Sequence, residues 1–375
     1  MEDNTQMDSN GDQLSMSYDY DDLVEKAAKL NTPPEITVAF GILFMTLIIV
    51  GNTWVIIAVF RQPKLRNSAT SLFIVSLSVS DLMIAVFFIP YHVGHFAYSL
   101  PISNRAVCKL FGYLHWAAQC GTTFSLIGIA VDRYRAIVLP MKPKLTVQHA
   151  LIGCAIVWSC ALGYSSFKLS VNDVLVENKT VTTEVNNVTL YDYEVVHTCY
   201  VRDEDTDRWF RLTDLVLMYI LPLLILLVLY SIMIFTLWFS ESPTNASSHN
   251  KKKAVRMLSF VVLQFALTWL PNHILQFYFT WSETFPRNEF LWSIVPANLA
   301  IFIFLCNSWI NPFLYAYFHE SFRKEFKKLF PCFYNCRKTQ IQSEVSATSR
   351  NMSKSKGRAS YGAKTQVSTI STTFA

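Results

Sequence analysis

Charge is scarce in this chain. Of its 375 residues only 16% are Asp, Glu, Lys or Arg, while 52% are hydrophobic; a soluble domain carries about 25% charge. The shortage argues against the two or three soluble domains that length alone would allow. A secretory leader is also missing: the chain opens MEDNTQMDSN, with no basic head and no apolar run. The first apolar segment is therefore expected to act as its own signal anchor. Paired internal repeats, which mark many transporters, are absent too.

What the chain has instead is apolar blocks long enough to span a bilayer, which takes about 20 residues. There are seven: 35–60, 69–97, 105–138, 149–170, 210–239, 252–281 and 291–317. Several hold Pro, Asn or Asp near their middles. Such groups need partners in lipid, so the helices must pack on one another. The expected fold is an all-α membrane protein with a seven-transmembrane helix bundle over 35–317. An acidic tail, 1–34, precedes it. A short amphipathic helix, 318–330, and a disordered Ser/Thr-rich tail, 331–375, follow.

Loop charge orients the bundle. RQPKLRN follows the first block, Arg135, Lys142 and Lys144 follow the third, and KKKAVR follows the fifth. On the other side, residues 1–34 hold eight acids and two lysines, and 171–208 hold nine acids and three basic residues. Lys and Arg mark the cytoplasm, so the N-terminus is expected outside, at the plasma membrane. The net charge of +5 is a dipole across the membrane and not a nucleic-acid signal.

Cys108 and Cys199 both fall on the outer side, where disulfides persist. Joined, they close about 90 residues, worth roughly 4–5 kcal/mol for a free chain and less for one already confined by a membrane. Cys120, Cys154, Cys160 and Cys306 lie within spans and are read as packing. Asn178 and Asn187 head glycosylation sequons in the same outer loop, whereas Asn245 and Asn351 match the pattern on the inner side. In FHESFRKEFKKLF the residues Phe318, Phe322, Phe326 and Leu329 recur at helical spacing, with Arg323, Lys324, Lys327 and Lys328 on other faces. That pattern suits a helix on the inner leaflet, and Cys332 and Cys336 beyond it are either palmitoylation sites or free thiols.

Asp81 lies well inside the second block. A carboxylate there costs about 2.5–3.5 kcal/mol, so it must be paired, protonated or bound to a cation. Thr122, Asn307, Ser308 and Asn311 are neutral oxygen donors for a sodium ion, the cofactor these residues suit; a structural Asp without an ion is the alternative. Pro222, Pro271 and Pro312 are each expected to break a helix in its interior. Trp269 stands two residues before Pro271, where it either fills the core or turns with events above it. At the inner end of the third block Asp132 and Arg133 adjoin, followed by Tyr134. They form either an interfacial anchor or a releasable pair whose arginine moves to Tyr230 and Tyr315, a two-state element.

Seven spans with GNTWV, LSVSD, DRY, Trp158, Pro222, TWLP and NPFLY, one motif per helix and in order, resemble the rhodopsin-like G-protein-coupled receptors over residues 35–330. The resemblance places Asn52, Asp81, Arg133, Trp158, Pro222, Pro271 and Pro312 at the family's anchor positions. It implies that Arg133 docks a heterotrimeric G protein after the sixth helix swings out. It also implies that the 14 Ser and Thr residues from Thr339 to Thr373 serve receptor kinases and arrestin. Residues 291–317 hold no lysine for retinal, and KLFGYLHWAAQC holds no acid for a monoamine. Longer strings, NSATSLFIVSLSVSDLMI, VDRYRAIVLPMKPKLT and KKKAVRMLSFVVLQFALTWLPN, are similar to the neuropeptide branch, which includes neuropeptide Y, neuropeptide FF and tachykinin receptors. The chain departs from the pattern at Thr268, which replaces the usual Cys before the Trp. Near Lys251 a basic residue stands where some members carry an acid that clasps the arginine. The outer end of the fourth span lacks its frequent proline.

Acidic outer loops favour a basic ligand. Tyr18 and Tyr20 among acids suit sulfation, or belong to an acidic tail without modification. The expected pocket is lined by His92, His115, Trp116, Gln119, Asn272, His273, Gln276 and Tyr278. Amide and imidazole groups hydrogen-bond a neutral terminal amide without desolvating a charge, so an amidated or basic peptide entering tail-first is the expected ligand. No bond is made or broken, hence no enzyme and no catalytic residue. A constitutively active or non-peptide receptor is the alternative. A transporter or a small-lipid receptor fits less well: repeats are absent, and the pocket top is polar.

Overall fold

The computed structural model describes residues 34–98, 104–185, 188–201, 203–239, 245–281 and 294–329. Helix α1 (Pro34–Arg61) and the single turn α2 (Pro63–Arg66) lead into the second span. That span runs from α3 (Ala69–Met83) through a π-helical turn (Ile84–Phe88) into α4 (Ile89–Tyr98). The third span is α5 (Arg105–Val138). The fourth is α6 (Val147–Ser165), continued by the short α7 (Phe167–Val171). Strands β1 (Asn172–Val185) and β2 (Val188–Val201) follow. The fifth span is α8 (Glu204–Asp214), a π-helical turn (Leu215–Ile220) and α9 (Leu221–Phe239). The sixth and seventh are α10 (Asn245–Thr280) and α11 (Ile294–Phe318); α12 (Glu320–Leu329) comes last.

The bundle is apolar outside and holds a set of polar side chains within its apolar core. Ile42, Leu43, Leu151, Ile152, Ile156, Leu227 and Val228 are exposed, while Asn52, Ser80, Asp81, Thr122, Ser125 and Asn311 are buried. A helix apolar all round belongs in a core or in lipid. Six of the described helical segments are long and apolar enough to cross a membrane by length and composition. Span α5 is the polar one, carrying Arg105, Lys109, Asp132, Arg133 and Arg135. It can be polar because it packs against α3, α6 and α9, and its residues Trp116–Thr123 are continuously buried.

Polar side chains bind the spans together. Asn52 Nδ2 donates to the carbonyls of Ile48 and Ser308, both at 3.0 Å. Trp158 Nε1 donates to Ser76 Oγ at 3.1 Å, and Ser76 meets Ser125 at 2.9 Å, which joins the second, third and fourth spans. Gln264 Nε2 donates to the carbonyls of Cys306 and Asn307 at 3.2 and 2.9 Å. Gly51 lets α1 and α11 approach: a Cβ there would meet Pro312 Cγ at 2.9 Å.

Several expectations change. Pro222 lies inside the fifth span, helical without interruption from Glu204 to Phe239, and disturbs the ladder locally without ending it: it stands directly after the π-helical turn, and the wider turn absorbs the carbonyl that the proline ring displaces. Pro271 and Pro312 lie inside helices that continue past them. The fifth span starts earlier than residue 210, because Asp203 caps α8 by accepting from Thr206 N at 3.0 Å. Hydrogen bonds from the Thr206 hydroxyl and N–H hold the Asp203 carboxyl below its ordinary range. Within the 171–208 segment, read as a loop, residues 172–185 and 188–201 are strands: β1 and β2 pair antiparallel from Asn172↔Val201 to Val185↔Val188. Their Val, Thr and Tyr residues are strand formers. Cys108 and Cys199 are bonded with Cα atoms 5.6 Å apart, which ties β2 to the top of α5. Cys120, Cys154, Cys160 and Cys306 are free thiols. In α12 Lys328 Nζ meets Glu325 at 2.6 Å.

Candidate functional site

At the inner end of α5, Asp132 is 6% exposed. Its Oδ2 accepts from Arg133 Nη2 at 2.8 Å and Nε at 3.2 Å, and from the Thr70 hydroxyl. The guanidinium is thus folded back on its own helix, held by a carboxylate that α3 holds in turn. Tyr230 of α9 and Tyr315 of α11 are both buried. Tyr134 is half-buried. The side chain of Lys251 lies outside the described residues.

In the middle of the bundle Asp81 is fully buried. Asn311 Nδ2 donates to its Oδ2 at 3.5 Å. Asp81 Oδ1, Thr122 Oγ1, Asn307 Oδ1 and Asn311 Oδ1 are buried oxygens without a hydrogen-bond partner among the described residues; Ser308 is buried beside them in sequence. Buried polar atoms are normally satisfied. One carboxylate with orphaned neutral oxygens fits a hard monovalent cation.

Toward the outer end the structure joins His115 to Gln119, whose Nε2 donates to His115 Nε2 at 2.5 Å. Phe88 stacks on His115 with ring centres 4.4 Å apart and on His92 at 5.6 Å. His92 Nε2 meets Asn298 Oδ1 of α11 at 3.3 Å. Phe88 also meets Phe304 edge-on at 5.7 Å, and Phe304 meets Trp269 at 5.3 Å. His273 lies between Trp269 (5.9 Å) and Tyr219 (5.0 Å). Tyr219 donates to the Ala266 carbonyl at 2.7 Å. The predicted imidazoles and the predicted tryptophan are therefore linked by a continuous run of rings.

Not every predicted pocket residue joins that run. Asn272 and Gln276 share a face of α10 at i, i+4 spacing, both half-buried. Tyr278 stands about 160° round the helix from Gln276, since each residue turns about 100°, and does not share that face. Trp116 touches the run through His115, ring centres 5.8 Å apart, and carries it away from Trp269 to Phe210, edge-on at 5.0 Å, and to Lys168.

Sequence reasoning missed Phe88 and Phe304, the two rings that link the histidines to Trp269. It also missed Lys168 and Asp214, ionisable residues inside blocks 149–170 and 210–239. Charge at membrane depth was the available signal. Asn178 falls on β1, with its side chain outside the described residues. Asn187, Tyr18, Tyr20, Cys332, Cys336 and the Ser and Thr residues of the tail lie outside them as well.

The family model for the seven-transmembrane receptors of the rhodopsin family matches residues 51–315. The chain is 28% identical over 297 residues to neuropeptide FF receptor 2 of Mus musculus, covering 75% of this chain and 69% of that receptor. It is 28% identical over 295 residues to neuropeptide FF receptor 1 of Homo sapiens, covering 76% and 67%. With the pyroglutamylated RF-amide peptide receptor of Rattus norvegicus it shares 29% over 312 residues, covering 77% and 69%.

Proposed function

Since the chain belongs to the rhodopsin family of seven-transmembrane receptors, we propose that it is a plasma-membrane receptor, N-terminus outside, that binds an extracellular amidated or basic peptide and activates heterotrimeric G proteins. One observation carries the reading. A single helix, α5, bears the His115–Gln119 pair in its first half and the Asp132–Arg133 pair near its C-terminal end. Gln119 and Arg133 are 14 residues, or about 21 Å, apart. Relatives named for neuropeptide FF support a peptide ligand, and the one named for an RF-amide peptide supports an amidated end.

The terminal amide would meet Gln119, His115, Asn272, His273 and Gln276. Pressure on Phe88 and Phe304 would reach Trp269, and α10 would pivot near Pro271. Arg133 would then leave Asp132 for Tyr230 and Tyr315 and present itself to the G-protein α-subunit. Such a step is a population shift: moving 1:99 to 99:1 takes an agonist that prefers the open state about 10⁴-fold. Asp81, Thr122, Asn307, Ser308 and Asn311 would hold a sodium ion, whose positive charge favours the ionised Asp81. The tail's Ser and Thr residues would take phosphate from receptor kinases and then bind arrestin. Cys332 and Cys336 would carry acyl chains into membrane lipid, and Asn178 and Asn187 would carry glycans.

The test is G-protein activation in cells expressing the chain, challenged with an amidated-peptide library beside Arg133→Ala. A peptide response that Arg133→Ala abolishes at equal surface expression is expected. Silence to every peptide with high basal signalling would replace the peptide reading with a constitutively active or non-peptide receptor. If Gln119→Ala and Gln276→Ala both leave potency unchanged, the tail-first pose is wrong.

A further inference from the structure

Lys168, in α7, is 4% exposed, although lysine is almost never buried unless paired. Its Nζ lies 4.1 Å from the centre of the Phe210 ring and 5.1 Å from that of Trp116. The two rings meet edge to face at 86° and so form a corner. Asp207 Oδ1 is 3.8 Å away, while Asp207 Oδ2 is engaged by Arg211 Nε at 2.5 Å. Asp214, the last residue of α8, is also buried. Helices α5, α7 and α8 all contribute. Trp116 adjoins the candidate pocket, its ring 5.8 Å from that of His115.

Lysine fits this corner poorly. An ammonium has three donors, yet the Asp207 oxygen at 3.8 Å is within ion-pair reach only, beyond a hydrogen bond. A guanidinium is flat, lies on ring faces and offers a fork to a carboxylate. It suits the same corner better.

We propose that Trp116, Phe210 and Asp207 form a cation subsite, which the receptor's own Lys168 fills and which a guanidinium group of the ligand takes over. The second half rests on the receptor reading above. The first half does not, so the two can fail separately.

The test is the melting of purified Lys168→Ala receptor with propylguanidinium, and with propylurea as its neutral counterpart. Emptying the corner lowers Tm. Propylguanidinium then restores it saturably, by roughly 2–4 °C at about ten times its dissociation constant. Propylurea does not, and adding Asp207→Asn removes the rescue. If the alanine form does not accumulate, Lys168→Val, which keeps part of the apolar stem, carries the same titration. Equal effects of the two additives, or equal rescue with Asp207→Asn present, would overturn the proposal. No peptide or G protein enters this measurement, so a negative result leaves the receptor reading standing. Conversely, a chain that activates no G protein can still show the rescue.

Discussion

At its inner end α5 pairs two neighbours, Asp132 and Arg133, at 2.8 Å; at its outer end it borders an ion pair gathered from two other helices, Lys168 and Asp207, at 3.8 Å. The inner cation is 28% exposed and the outer one 5%. Arg133 is part-exposed, whereas the Asp132 side chain is 8% exposed and keeps the Thr70 bond when the arginine leaves. Separation there therefore costs more than the roughly 0.2–1 kcal/mol of a fully exposed pair and less than the roughly 3–5 kcal/mol of a fully buried one. The outer pair has no such relief, and removing one partner of a buried pair costs about 3–5 kcal/mol. Sequence adjacency thus builds a pair that can open, and tertiary assembly builds one that holds.

The sharpest way to break this contrast is a double dissociation. Phe210 touches the rings of Trp116, Phe167 and Tyr164 as well as Lys168. With each ring pair worth about 0.5–1.5 kcal/mol, Phe210→Leu should lose about 3 kcal/mol, a fall of order 5–10 °C in Tm. Basal G-protein activation should stay at its original level. Asp132→Asn should do the reverse. It takes the charge from the acceptor of both Arg133 and Thr70, and a bias of about 1.4 kcal/mol raises basal activation about tenfold, with little change in Tm. If Asp132→Asn instead melts the receptor and leaves basal activation alone, the inner pair is an anchor.

Thr70→Val sharpens the same point with a smaller effect. It keeps the shape and removes one hydrogen bond, worth about 1 kcal/mol, so basal activation should rise about fivefold. On an Asp132→Asn background it should add almost nothing, because both act through one oxygen. Additive effects in that cycle would show that Thr70 works elsewhere.

Which of these features can be read from sequence follows from how they are assembled. Asp132 and Arg133 are legible because they adjoin. Cys108 and Cys199 are legible because loop charge puts both outside, and Asp81 because a carboxylate in an apolar run has few explanations. The strands over 172–185 and 188–201 were hidden by their acids, which read as loop although Val, Thr and Tyr alternate with them. Phe88, Phe304 and Phe210 are three of 28 phenylalanines and have no polar atom to betray a role. Lys168 and Asp214 stand out in their spans, but their neighbours come from other helices, and no spacing rule reaches across three helices.

The smallest expected effect tests what kind of site the outer cluster is. Both Asp214 carboxylate oxygens are buried without a hydrogen-bond partner among the described residues, and the side chain is 1% exposed. An acid in that place gives up hydration without gaining a hydrogen bond among the described residues. Asparagine has nearly the same outline and never ionises, and replacing a poorly compensated buried acid is often neutral or stabilising. Asp214→Asn should therefore leave Tm unchanged or raise it by about 1–2 °C, on the order of 0.5 kcal/mol. A fall of more than about 4 °C would mean that Asp214 holds Lys168 in place. The outer cluster would then be a carboxylate pair with aromatic walls, and Asn at 214 should also weaken the guanidinium rescue of Lys168→Ala. An unchanged Tm with full rescue assigns the holding to the two rings and Asp207.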